Sequence, residues 1–381
     1  MSNEVDIREN DILQQDPILL ETLLIDRSRP KSGKKDGHII WATDNYESLG
    51  AGYGENEQIT VAAITGKNGN IIQPRVQKSK EEQQARARDK GEVFTPSWIC
   101  NSQNNLVDEQ WFGTKSPFNK ETDKGWKTNR KPIPFPTKDG KTWQDYVNDT
   151  RLEITCGEAP YLANRYDAVS GEYNDVAKFR IGMLDRKLRI VSENVKDSKE
   201  WILWAKIALR STYGFEWQGD NLLLAREALF FTFEEHYVEQ FGEKKFNQNK
   251  MRIMPGVAYI VSWNLWQMDG LTYGLPGYEE KVQNRKQRDE LYQAKLKDYE
   301  RQIKERAEIA QNSLFGLDEM NLPELVKPVL EPVQLFEQYC LIKDFFDGVN
   351  IKKATLKSQD FHDQSAPKQT FESLVNNKTQ Q

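Results

Sequence analysis

Histidine and cysteine are scarce in this chain of 381 residues, with only three of each. His38, His236 and His362 lie too far apart to suggest a histidine-based zinc site. Cys100, Cys156 and Cys340 show neither metal-ligand spacing nor an even disulfide framework. That usage is expected of a reduced, cytoplasmic protein. No apolar run approaches membrane-spanning length, and the polar start Met1-Ser-Asn-Glu-Val-Asp6 does not read as a signal peptide. An excess of one charge is missing too. A net charge of −5 gives no global attraction to nucleic acid or membrane, so any DNA contact must come from a local patch or a partner.

What is present is core-forming material. Apolar residues make up 38% and aromatics 11%, and ten tryptophans supply large buried or stacking surfaces. The organising stretch is Arg151-Leu-Glu-Ile-Thr-Cys-Gly-Glu-Ala-Pro-Tyr-Leu162. A β-prone run ends in Glu153; Gly157 and small Ala159 follow, and a helix is expected next. A strand–turn–helix with small turn residues lets backbone N–H groups approach a ligand, the arrangement that holds nucleotide-like cofactors in doubly wound sheets.

Before that stretch the spacing predicts a short helix over 18–24, a basic link over 27–35, and β-type runs over 38–42, 59–64 and 71–76. Asn68-Gly69 between the last two reads as a hairpin turn. Residues 77–90 carry Lys78, Lys80, Arg86, Arg88 and Lys90 among Glu81, Glu82 and Asp89, and read as a solvated helix face rather than a phosphate-contacting patch. Gly91-Glu-Val-Phe-Thr-Pro96 breaks that helix and starts another, with Thr95 available as its cap. Residues 112–142 read as a long loop.

Downstream, a helix is expected over 199–209, a strand over 212–216 ending in Glu216, and an apolar helix over 222–237 capped by Asp220. Residues 257–263 form the third strand candidate, followed by Asp269. Tyr292, Leu296, Tyr299, Ile303 and Ala310 mark an apolar seam on a long charged helix. A last apolar element is expected over 336–346, and a polar tail after it. The division expected is 1–90, 91–275, 276–315, 316–355 and 356–381. Glu153, Glu216 and Asp269 thus follow three successive strand candidates, where such acids accept hydrogen bonds from ribose hydroxyls and an adenine amino group.

These elements resemble those of amino-methylating, adenine-N6 DNA methyltransferases of restriction–modification systems. Gly91-Glu-Val-Phe-Thr-Pro96 is similar to their G-x-[FY]-[FY]-T-P element, and Glu153-Ile-Thr-Cys-Gly-Glu-Ala159 to their D-P-x-x-G-x-G loop, with Glu for Asp and Ala for the last Gly. Tyr213-Gly-Phe-Glu-Trp217, Asp220 and Ala225-Arg-Glu-Ala-Leu229 are similar to G-x-[ED]…A-x-x-N-L, and Gln267-Met-Asp-Gly-Leu271 to G-D-x-L. The resemblance covers residues 91–271 and extends to proteins described as M subunits. It implies an α/β fold with a Rossmann-like methyltransferase sheet, complete or cut short in this chain, a small β-containing N-terminal region and a helical C-terminal arm. It also implies S-adenosylmethionine as cofactor, held by Phe94, Thr95, Pro96, Glu153, Cys156, Gly157, Ala159, Glu216, Trp217 and Asp269.

One departure limits what is implied. The group transfers methyl through [ND]-P-P-[YF], whose polar side chain and carbonyl hold the amino group of the flipped base. No Pro-Pro dipeptide occurs here, and Asn264-Leu-Trp-Gln and Asp344-Phe-Phe-Asp both lack the required fourth residue. The expectation is a cofactor-binding subunit completed by a second polypeptide that brings the tetrapeptide and DNA recognition. The alternatives are a non-catalytic methyltransferase-like scaffold or DNA-recognition protein, and methylation of RNA or protein.

Overall fold

Long stretches of strong helix formers between breakers dominate the architecture, and strands fill only short gaps between them. The computed structural model describes residues 9–27, 37–136, 140–270, 274–277, 290 and 292–305. The chain divides into two compact units, one of residues 1–276 with 339–381 and the other of 277–338. In the second unit the described part is a helical stretch at 292–305, where Tyr292, Leu296 and Tyr299 are half-buried and Ile303 is exposed. Ala310, the apolar element expected at 336–346 and the tail lie outside the described residues.

The first unit is mixed α/β and mostly helical. It begins with α1 (Glu9–Gln15) and α2 (Pro17–Leu24). The Asp16 side chain caps α2 with Pro17 at its first position, a pairing that favours helix initiation. Residues 59–64 do not form a strand: Thr60 caps a single turn, α3 (Val61–Ile64). The Asn68-Gly69 hairpin is also absent. Asn10 takes both backbone groups of Gly66, donating to its carbonyl at 3.2 Å and accepting its N–H at 2.7 Å, and the chain tightens there into a 3-10 turn. Residues 38–40 make isolated bridges to Ile25 and Gln58 rather than a continuous ladder.

α4 (Lys80–Lys90) is capped by Ser79 and closed by Gly91 in the left-handed region. It is not a wholly solvated helix, because Arg86 is buried. α5 (Ser97–Phe112) follows, with Pro96, not Thr95, in the cap position; Asp167 accepts the first helical N–H instead. The expected loop at 112–142 contains an antiparallel hairpin, β1 (Asn119–Thr122) with β2 (Gly125–Thr128). Asn101 and Asn119 anchor it through reciprocal side-chain bonds of 2.9 and 2.7 Å. Long-range amide pairing of this kind leaves no local signal.

α6 (Trp143–Asn148), with a Thr142–Asp145 capping box, leads into β3 (Arg151–Glu153). No helix follows the glycine turn directly. Turns, one β-bridge (Tyr166 with Tyr173) and a 3-10 turn (Ala177–Phe179) occupy the chain up to α7 (Met183–Asn194), so the helix expected after Ala159 does not form. After α8 (Ser198–Arg210) comes β4 (Thr212–Glu216), then α9 (Gly219–Phe241) and α10 (Glu243–Asn264). The 257–263 run is the end of α10, and the third strand comes immediately after it, β5 (Leu265–Gln267). Gln218 occupies the cap position of α9, and Asp220 lies inside its first turn. The three strands are parallel in the order β3-β4-β5, with Glu153 opposite Gly214 and Glu216 opposite Gln267. One continuous core joins side chains of α2, α7, α8, α9 and α10 with Leu265 of β5.

Candidate functional site

Parallel pairing gathers the C-terminal ends of all three strands at one side of the sheet. The central strand contributes Glu216, which is buried and accepts the N–H of Gly157 at 2.9 Å on one oxygen and that of Gln218 at 3.1 Å on the other. The glycine turn after β3 therefore clasps the acid at the end of β4. Gly157 has φ +53°, a conformation that side chains disfavour, and a Cβ there would meet the Phe94 ring at 3.5 Å. Ala159 also takes a positive φ, 65°, where the family-like pattern carries glycine.

The Gly91–Pro96 element lies against the same turn. Phe94 is buried beside Gly157, and the Arg75 guanidinium stacks on its ring at 5.4 Å. The Thr95 carbonyl accepts from the Cys100 thiol at 3.6 Å. Pro96 starts α5. Cys156 donates its backbone N–H to Phe215 at 2.8 Å, and its sulfur would lie 3.0 Å from any Cβ placed on Gly214. Close packing of the turn onto β4 thus requires glycine at 214.

The chain leaving β5 crosses back over these ends. Met268 donates to the Glu216 carbonyl at 3.0 Å, and Asp269 to that of Gly274 at 2.9 Å. Gly270 reaches the chain leaving β3 so closely that a Cβ would fall 1.9 Å from the Ile154 carbonyl. Trp217 is half-buried, and its carbonyl accepts from Gln267 at 3.0 Å. The structure therefore brings Phe94, Thr95, Glu153, Cys156, Gly157, Glu216, Trp217 and the Asp269-Gly270 turn to a common end of the sheet.

The electrostatics of this end are unusual. Burial drives Glu153 up to about 8, and no charged or hydrogen-bonding partner opposes the shift. Burial also raises Glu216, but only to about 7, because the N–H groups of Gln218 and Gly157 favour its ionised form. Both thiols are pushed the other way from reactivity: Cys100 reaches about 12, and Cys156 is raised by burial and by the neighbouring Glu216 and Glu153. Neither is set up as a nucleophile. Among the described residues no cluster of His, Cys, Asp and Glu could hold a metal ion.

A supporting network was missed by reading the sequence. Arg86 bonds Glu92 at 2.6 Å, Gln218 at 3.2 Å and Asp220 at 2.8 Å, and the Tyr46 hydroxyl donates to Asp220 at 2.7 Å. α4 is thereby fixed to the turn that carries Glu216. Glu158 accepts from the Arg75 N–H at 2.6 Å and the Tyr166 hydroxyl at 2.7 Å, and so anchors the glycine turn from its other side. Ser79 and Gly91 mark the limits of α4, but its charge pattern gave no sign that Arg86 points inward.

No protein-family model, curated protein or solved structure matches this chain. Among the described residues no helix is long and apolar enough to cross a membrane.

Proposed function

We propose that this chain is the S-adenosylmethionine-binding (M) subunit of a DNA adenine-N6 methyltransferase in a restriction–modification or related defence system, completed by a partner polypeptide. In this reading β3, β4 and β5 are the first three strands of a Rossmann-like sheet. The observation that carries it is the clasp of Glu216 by the Gly157 N–H, with Phe94 packed on the same glycine. That arrangement joins three separate sequence elements at one place.

The residues present suit such a cofactor. Each Glu216 oxygen accepts one backbone N–H, and a carboxylate oxygen has capacity for a second donor such as a ribose hydroxyl. Trp217 offers a half-buried aromatic face for adenine, with Asp269 for its amino group. Glu153 provides negative charge for the cationic end, and Phe94-Thr95-Pro96 cover the turn. The chemistry that S-adenosylmethionine supplies when bound is an electrophilic methyl group. The chain's own part is positioning and exclusion of water, since transfer to an amine depends mainly on alignment. The amine-binding tetrapeptide and the surface that extrudes the base come from the partner.

Calorimetric titration tests this directly. The purified chain should bind S-adenosylmethionine at micromolar concentration, and Glu216→Ala should abolish the heat signal. Absence of binding by the wild type would leave the non-catalytic scaffold as the better reading; unchanged affinity in the variant would remove Glu216 from the site.

A further inference from the structure

The β1–β2 hairpin is fixed on one side and charged on the other. In its register Lys120 stands opposite Lys127 and Glu121 opposite Trp126. Alternation then puts Asn119 and Glu121 on the α5 side and both lysines on the outer side. Buried amides hold the α5 side. Asn105 donates to Asn119 at 3.0 Å and to Glu121 at 2.9 Å, and Ser102 donates to the second Glu121 oxygen at 3.0 Å. Arg186 donates to the Oδ1 atoms of Asn101 and Asn105 at 2.8 and 2.9 Å, which aims both amide nitrogens at the hairpin. The adjacent Asn104 donates to the Tyr161 and Ile181 carbonyls, each at 3.0 Å. One helix therefore carries both the hairpin and the segment that follows the glycine turn.

The outer side breaks two local rules, each time with lysine. Like charges directly opposite in an antiparallel pair destabilise it, yet Lys120 faces Lys127. At the tip, Lys124 takes a left-handed conformation, φ +50°, where glycine or asparagine is the ordinary choice. All three lysines are exposed, and among the described residues none offers their ammonium groups an ion pair or hydrogen bond. Residues 115–131 carry six cations, Lys115, Lys120, Lys124, Lys127, Arg130 and Lys131, against two acids, in a chain whose net charge is −5. One of those acids, Glu121, is turned to α5. Stability does not account for lysine at these positions, whereas a polyanion laid along the strands offsets the repulsion.

We propose that the outer side of the β1–β2 hairpin, through Lys120, Lys124 and Lys127, binds the phosphate backbone of double-stranded DNA. Lysine supplies a point charge on a flexible stem, so these contacts hold and orient the duplex without reading its sequence. Because α5 carries both the hairpin and the segment after the glycine turn, DNA held there has a fixed relation to that turn. The choice of DNA over another polyanion rests on the cofactor-subunit reading; the cationic face does not.

Fluorescence anisotropy of a labelled DNA duplex of arbitrary sequence, titrated with the full chain at several salt concentrations, tests this. The logarithm of the affinity should fall linearly with the logarithm of the salt concentration, with a slope of about −0.9 per phosphate contact. Lys120→Gln combined with Lys127→Gln should weaken binding about tenfold and make the slope shallower by about 1.8, two contacts' worth. The same pair of changes removes a cross-strand repulsion, so the melting temperature should hold or rise. A lower melting temperature would mark the lysines as structural and overturn the proposal. Lys67→Gln combined with Lys244→Gln, two exposed lysines on other elements, should change neither affinity nor slope measurably. No duplex binding by the wild type at low salt, an equal loss in that control pair, or an unchanged slope in the hairpin pair would overturn the proposal. So would tighter binding of an RNA duplex through the same lysines, because the occupant would then be RNA. S-adenosylmethionine titration is a separate readout. Hairpin-dependent DNA binding without cofactor binding would keep this surface and remove the cofactor reading; cofactor binding with hairpin-independent DNA binding would do the reverse.

Discussion

The β5 side of the sheet is sealed by side chains, whereas among the described residues no strand or sealing side chain takes the β3 side. At β5, Arg226 reaches out of α9 to the Leu265 carbonyl at 2.7 Å and also bonds the Leu23 and Ile25 carbonyls. Gln267 acts as a substitute peptide group: its amide accepts the Ile40 N–H at 2.9 Å and donates to the Ile40 carbonyl at 2.7 Å. At β3, Leu152 has neither device. An exposed edge invites pairing with another chain, and proteins usually blunt it. Among the described residues this blunting is seen at β5 and not at β3.

The sharpest way to break this comparison is to unseal β5. Arg226→Met should destabilise the first unit by about 3–5 kcal/mol, since several buried carbonyls lose their donor together and each orphan costs about 1–3 kcal/mol. Gln267→Leu removes the bonds to Ile40 and Trp217 and should cost about 1–3 kcal/mol on the same basis. Chemical denaturation monitored by tryptophan fluorescence measures both. Losses below about 0.5 kcal/mol for Arg226→Met would mean that β5 does not depend on its seal.

How much of this was legible before the structure depends on the range of the interactions. β4, α8 and most of α9 follow from local pattern, and so do the acids that end β3 and β4, Glu153 and Glu216, whereas β5 ends in Gln267, two residues before Asp269. The third strand was placed one element early, because the β-branched run at 257–263 fits a buried strand as well as a buried helix. The helix expected after Ala159 was absent because the turn is held by tertiary bonds, Glu158 to Arg75 and Cys156 to Phe215, rather than by helix capping. Arg226 and Gln267 carried no signal at all. Their roles come from partners 39 to 227 residues away in the chain, beyond any sequence window.

The two acids extend the comparison to the strand ends. Glu216, on the central strand, is held by two N–H groups, whereas Glu153, on the open side, has none, and it is raised further. Both hold their protons more tightly folded than unfolded. Between the ordinary value of 4.5 and about 7–8, the folded chain therefore binds extra protons, and stability falls as pH rises. Glu153→Gln should flatten that fall without lowering stability at pH 8. In the proposed function a cationic cofactor favours the ionised carboxyls, so its affinity should rise from pH 6 to pH 8, by at most about tenfold per unit for each group that must ionise. A profile that is flat or falls in that range would exclude Glu153 as the charge facing the cofactor.

The smallest effect is expected where the sheet is open. Leu106→Glu alters a residue that is 64% exposed, and exposed substitutions of this kind usually change stability by less than about 0.5 kcal/mol. A near-zero result in denaturation would place Leu106 outside the packing of this chain. A loss of about 2 kcal/mol or more would show instead that α5 is already packed against this chain, and the contrast between the two edges would disappear.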